Sequence, residues 1–154
     1  MQKIKSFTIN HDTLEKGMYI SRIDGDIITY DIRMKLPNGG DYLSTGEAHT
    51  FEHLFATYAR NSRFGKDIIY VGPMGCRTGF YLLTRDSVSY ENAIALVQES
   101  CAFIGVFDGE IPGNTKAECG NYLDHDLVGA KALAAEMAEV LQGWQPRDLE
   151  YKTE

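Results

Sequence analysis

The sequence predicts an α+β protein, a mostly antiparallel β-sheet with helices packed on it. Three observations carry that expectation. Apolar residues alternate along residues 28–36, short extended runs meet at turns rich in Gly and Pro, and three longer segments repeat their apolar residues every three or four positions. With 154 residues and 44% hydrophobic content, the chain can bury one core but is short for two, so residues 1–154 are expected to form a single domain.

After an N-terminal arm, residues 18–23 and 27–36 flank Asp24-Gly25-Asp26, the turn of a β-hairpin. In the second run Ile28, Tyr30, Ile32, Met34 and Leu36 share one face and Thr29, Asp31, Arg33 and Lys35 the other, since successive strand side chains point to opposite sides. The Pro and Gly residues of "LPNGGDYLSTG" end that strand, and Ser44 or Thr45 can cap the helix that follows. The helix is expected over residues 47–60, with Phe51, Leu54, Phe55 and Tyr58 as its apolar stripe. Strands at 67–71 and 79–84 are broken by a tight turn on Gly72-Pro73-Met74-Gly75-Cys76, which puts Cys76 at the tip. A second helix, 90–107, turns Ile94, Val97, Cys101 and Ile104 inward, so Cys101 reads as packing. A loop then delivers Cys119, and a third helix, 124–141, carries Leu127, Ala130, Ala134, Met137 and Leu141 inward.

Charge and composition exclude some functions. A formal net charge of −7 and an isoelectric point near 5.1, with no Lys/Arg cluster, oppose binding to a phosphate backbone, so no nucleic-acid partner is expected. No apolar run reaches the length a bilayer requires and the first residues lack an apolar signal core, so no membrane association and a cytoplasmic location are expected. Cys76, Cys101 and Cys119 are odd in number and far apart, which points away from a disulfide framework and toward thiolate or metal chemistry.

The stretch "EAHTFEHLF" concentrates that chemistry. The chain has four His, and a Glu and a second His at these offsets from one of them would arise by chance on the order of once in two hundred, so the pattern calls for a chemical reading. On a helix His49 and His53 lie on one face and can offer two imidazole nitrogens to one ion, while Glu52 stands beside the ion as a group that exchanges protons with substrate. The order is that of the inverted zincins, H-x-x-E-H. A catalytic metal usually takes three protein ligands, and the third here is open among Cys119, Cys76, His125, His11 and the carboxylates. His125, near the expected start of the third helix, reads as a capping or surface residue and is left out of the metal set.

Taken together, His49-Thr-Phe-Glu52-His53-Leu54, Pro73-Met74-Gly75-Cys76-Arg77-Thr78-Gly79, Glu118-Cys119-Gly120 and "HDLVGAK" from His125 resemble the LuxS family of S-ribosylhomocysteine lyases. The likeness extends from "SFTINHD" near the start, through "YDIR", to the helix after Cys119. It implies a LuxS-like metalloenzyme that cleaves the thioether of S-ribosyl-L-homocysteine to L-homocysteine and 4,5-dihydroxy-2,3-pentanedione, the precursor of the autoinducer-2 quorum-sensing signal. By the same resemblance His49, His53 and Cys119 hold one divalent metal per subunit, Fe2+ natively with Zn2+ or Co2+ also acceptable. Glu52 and Cys76 are then the acid/base pair, and Ser6, His11 and Arg33 line the substrate pocket. Arg33 is the candidate positive charge that favours the Cys76 thiolate. The resemblance further implies a homodimer with active sites at the subunit interface, where the arm carrying Ser6 and His11 completes the neighbour's pocket. The chain departs from the family pattern at Tyr70 and Gly72, where an acidic residue and a Ser are expected.

Without the resemblance, two other functions fit the same residues. An inverted-zincin peptidase would use Glu52 to activate a metal-bound water and would not need Cys76. A structural metal module would close its site with four ligands, with Cys76 as a candidate fourth.

Overall fold

The computed structural model describes residues 1–152. Its sheet is built from β1 (Gly17–Asp24), β2 (Ile27–Arg33), β3 (Ile68–Pro73) and β4 (Gly79–Arg85) in the order β1-β2-β4-β3, with every neighbouring pair antiparallel. Gly25 turns the β1–β2 hairpin at φ +58°, a conformation that glycine adopts without a Cβ penalty. Gly79, opposite Arg33 in the β2–β4 ladder, is needed for another reason: a Cβ there would collide with the Ile32 carbonyl.

Three helices, α1 (Thr45–Asn61), α2 (Tyr90–Gly105) and α3 (Leu127–Val140), pack with the sheet around one core. From the sheet come Ile28, Tyr30, Ile32, Phe80 and Leu82, and from α1 come Phe51, Leu54 and Phe55, all buried. The Phe51 ring lies 4.9 Å from Phe80 and 5.6 Å from Phe55, so α1 is fixed to the sheet by the apolar face opposite its polar residues. Cys101 is buried in α2, and burial pushes its thiol up to about 12, which leaves it inert near neutrality.

Element boundaries differ from the sequence expectation where side chains redirect the backbone. The second strand stops at Arg33, because the Met34 and Lys35 N–H groups both donate to the Thr78 carbonyl, at 2.8 and 3.0 Å. Leu36 therefore leaves the buried face and is 50% exposed. Ser44 is the cap of α1: it accepts from the Glu47 N–H while Glu47 accepts from the Ser44 N–H, a capping box that starts the helix two residues before the expected 47. In α3 the Asp126 carboxylate accepts from the Gly129 N–H at 2.9 Å, so the helix begins at Leu127 and residues 124–126 remain loop. The second helix ends at Gly105, two residues short of the expected 107.

On the polar face of β2, Asp31 and Arg33 are closed off from solvent. Asp31 and Arg33 are 1% and 3% exposed, paired with each other, and the Tyr151 hydroxyl donates to Asp31 Oδ2 at 2.7 Å. Tyr151 stacks on Tyr19 with centroids 4.9 Å apart, and Trp144 donates to the Met18 carbonyl, so the C-terminal segment is strapped across the hairpin.

Burial holds the phenols of Tyr19, Tyr30 and Tyr151 in their neutral forms, raising Tyr19 to about 12; at Tyr151 the charge of Asp31 adds to the effect of burial. An unfolded phenol ionises near 10, so this stabilisation is complete below about pH 10 and is lost as pH rises toward the raised folded values. Urea unfolding midpoints measured between about pH 8 and 11 are expected to hold steady and then fall, with a shallower fall in Tyr151→Phe. Equal slopes for the two proteins would contradict this role for Tyr151.

Candidate metal and acid/base site

His49 and His53 project from α1 one turn apart, and each is oriented by a carbonyl from another part of the chain. His49 Nδ1 lies 2.8 Å from the Asp124 carbonyl and His53 Nδ1 lies 2.7 Å from the Pro112 carbonyl. A carbonyl only accepts, so each Nδ1 carries the proton and each Nε2 keeps its lone pair. This is the outer arrangement that commonly orients metal-binding imidazoles. Gly113, at φ +71°, lets the loop approach His53: a Cβ there would stand 3.3 Å from His53 Nδ1.

The loop that follows delivers Cys119. Its N–H donates to the Thr115 carbonyl, the Asn121 N–H donates to Sγ at 3.4 Å, and Sγ lies 3.4 Å from His49 Nε2. The structure also adds a residue that the sequence reading left out. One donor atom from each of His49, His53, Cys119 and His125 lies within 4.8 Å of the others. The His125 ring stacks on His49 with centroids 4.0 Å apart, its Nδ1 is 3.0 Å from Thr50 Oγ1, and its Nε2 is buried without a partner among the described residues. Burial and then the neighbouring His49 and His53 hold His125 below the ordinary imidazole range. The unpartnered Nε2, the prearranged imidazoles and the thiol fit a metal ion; imidazole and thiolate together suit zinc, ferrous iron and cobalt alike. Cys76 stands outside this cluster and does not close it.

Beside the cluster, a cavity of about 260 Å³ is bounded by His49 and Glu52 on α1 and by Pro73, Met74, Gly75 and Arg77 of the turn that bears Cys76. Glu52 also borders a second cavity, about 350 Å³, with His53, Arg60, Tyr70 and Pro112. The Cys76 turn is held by Arg77 at φ +60°, whose N–H donates to the Met74 carbonyl, and the Cys76 thiol is exposed.

The other expected pocket residues lie elsewhere in the same chain. Arg33 points into the protein, giving Nε and Nη2 to Asp31 at 3.1 and 2.7 Å and Nη1 to Thr78 Oγ1 at 2.8 Å. Ser6 lines a groove on the outer sheet face with Ser21, Thr29, Tyr70 and Tyr81, and His11 donates from Nδ1 to the Ile9 carbonyl. Tyr70 and Gly72 are close neighbours in space. The Tyr70 ring, 53% exposed, occupies the space that a Cβ at Gly72 would need, so a side chain at 72 would require Tyr70 to turn aside.

Comparison with known proteins converges on one family. The model for "S-Ribosylhomocysteinase (LuxS)" matches residues 4–147. Relatives named S-ribosylhomocysteine lyase are 43% identical in Clostridium acetobutylicum, over 98% of this chain and 99% of theirs, and 46% identical in Phocaeicola vulgatus, over 99% of both. A third, from Desulfotalea psychrophila, is 43% identical over 98% of this chain and 99% of its own.

Proposed function

The chain belongs to the S-ribosylhomocysteinase (LuxS) family, and from that membership we infer how its site works. Its reaction is that of an S-ribosylhomocysteine lyase, a carbon–sulfur cleavage. The substrate is S-ribosyl-L-homocysteine, and the products are L-homocysteine and 4,5-dihydroxy-2,3-pentanedione. His49, His53 and Cys119 are the metal ligands, with His125 beside them, and the native ion is Fe2+. When bound, the ion supplies Lewis-acid stabilisation of negative charge that develops on the sugar.

The chain's own groups move the protons. Two aldose–ketose shifts carry the carbonyl from C1 to C3 of the ribose, each taking a proton from one carbon and returning one to its neighbour. With the carbonyl at C3, loss of the C4 proton expels the sulfur from C5, and tautomerisation gives the dione with no water added. Those transfers need a group on either side of the sugar. Glu52 supplies one from α1 and Cys76 the other from its turn; the observation that supports this division is the cavity bounded by both elements and by His49. A peptidase would have no use for Cys76 in this role.

Residues 1–154 act as one domain, and the protein is a cytoplasmic homodimer with active sites at the interface, serving autoinducer synthesis. Among the described residues no helix is long and apolar enough to cross a membrane. Ser6 and His11 border neither cavity at Glu52 of their own chain, in keeping with an arm that binds substrate in the neighbouring subunit.

Anaerobic turnover of S-ribosylhomocysteine by ferrous-loaded protein tests this reading, with released homocysteine detected by a chromogenic thiol reagent after subtraction of the protein's own cysteines. Thiol release that disappears in Glu52→Gln is expected. No release from folded, metal-loaded protein would overturn it.

A further inference from the structure

Among the described residues the Cys76 thiol has one hydrogen-bond partner, the Thr78 hydroxyl at 3.0 Å. Arg33 Nη1 donates to Thr78 Oγ1 at 2.8 Å and takes up one of its lone pairs; the threonine proton remains available to Cys76 Sγ, and a thiolate, which only accepts, must receive it. Behind it, Arg33 is locked by its two bonds to Asp31, and Asp31 accepts in addition from Tyr151. Asp31, Arg33 and Thr78 are each 3% exposed or less, whereas Cys76 is exposed at its turn. An accessible sulfur therefore rests on a buried hydrogen-bonded string that can donate to it when it is ionised.

We propose that Thr78 is a positioning residue for the reaction: its hydroxyl, held by Arg33, donates to the Cys76 thiolate, fixes the sulfur at its turn and raises the fraction that is ionised. The inference rests on the reading of Cys76 as a proton-moving group. Asp31 largely neutralises Arg33 as a bare charge, and Thr78 is what passes the polarisation of the guanidinium to sulfur. Hydrogen bonds to an ionised acceptor are roughly twice as strong as neutral ones, so the donor favours thiolate over thiol. The other charged or titratable groups facing this region among the described residues are Tyr81 on β4, Arg77, whose guanidinium turns to the Leu43 carbonyl, and His49 and Glu52 of the neighbouring cavity. None is hydrogen-bonded to Sγ.

Thr78→Val keeps the shape of the side chain and removes the hydroxyl; Thr78→Ser keeps the hydroxyl. Iodoacetamide alkylation of Cys76 is to be followed by peptide mass spectrometry on metal-loaded protein, where Cys119 is protected and Cys101 is buried. At neutral pH the rate is expected to fall roughly tenfold in Thr78→Val, the equivalent of one unit of titration. It should return to within about twofold of the parent in Thr78→Ser, and all rates should converge as pH approaches about 10, since thiolate population rather than access is altered. A parental neutral rate in folded Thr78→Val overturns the proposal, as does equal slowing in Thr78→Ser. If Thr78→Val fails to fold, Thr78→Ala against Thr78→Ser makes the same comparison. This readout is independent of turnover: active Cys76→Ala protein would sink the role of Cys76 while leaving the Thr78 result to stand or fall alone.

Discussion

Cys119→Ala protein is expected to purify folded and largely without metal. Cys119 is held at the cluster by local bonds, its backbone N–H donating to the Thr115 carbonyl and the Asn121 N–H donating to its sulfur, which lies 3.4 Å from His49 Nε2. An alanine leaves two prearranged imidazoles on α1 and His125 beside them, with no anionic donor to offset the charge of a divalent ion. Loss of an outer partner of a metal ligand typically weakens binding by about 10–100-fold, and loss of the anionic ligand should exceed that. The fold should survive, because α1 is anchored through Phe51, Leu54 and Phe55 on its opposite face. Metal content by atomic emission and thermal unfolding of the same sample measure both halves. Stoichiometric metal in Cys119→Ala would remove Cys119 from the ligand set and shift attention to His125.

Glu52→Gln and Cys76→Ala should behave in the opposite way, with full metal content and little turnover. Neither side chain belongs to the donor cluster, yet Glu52 and the turn carrying Cys76 bound the same cavity. General acid–base groups contribute about 10²–10⁴-fold, so a loss of that size is expected from either substitution. The two losses should not multiply in the double variant, because both groups serve the same sequence of proton transfers. Turnover of Cys76→Ala within tenfold of the parent would end the two-sided scheme, and loss of metal from Glu52→Gln would make that carboxylate a ligand.

Much of this arrangement is local in sequence and was legible there. The hairpin at Asp24-Gly25-Asp26, the alternating run of β2 and the stripe of α1 follow from periodicity, and "HTFEH" places two imidazoles on one helix face whatever surrounds them. The extra members of the site were not legible, for identifiable reasons. His125 looked like part of a helix start, but Asp126 takes the cap and leaves the histidine in a loop, where it stacks on His49. Alternation put Arg33 and Asp31 on one strand face but could not show that they are buried and paired, with Tyr151, 120 residues from Asp31 in sequence, bonded to Asp31. Thr78 carried no signal, since a threonine after a turn is ordinary until its two neighbours in space are known.

The sequence by itself determined the element types, the placing of two imidazoles and a carboxylate on one helix, and a thiol at a strand break. Those depend on spacing along one segment, which a helix or strand converts into a face by fixed geometry. Only the tertiary structure decided which carbonyls orient the imidazoles, that a fourth donor joins them, and that the thiol rests on a buried hydrogen-bonded string. Each of these is a contact between segments far apart in sequence, made by packing, and no local period encodes it.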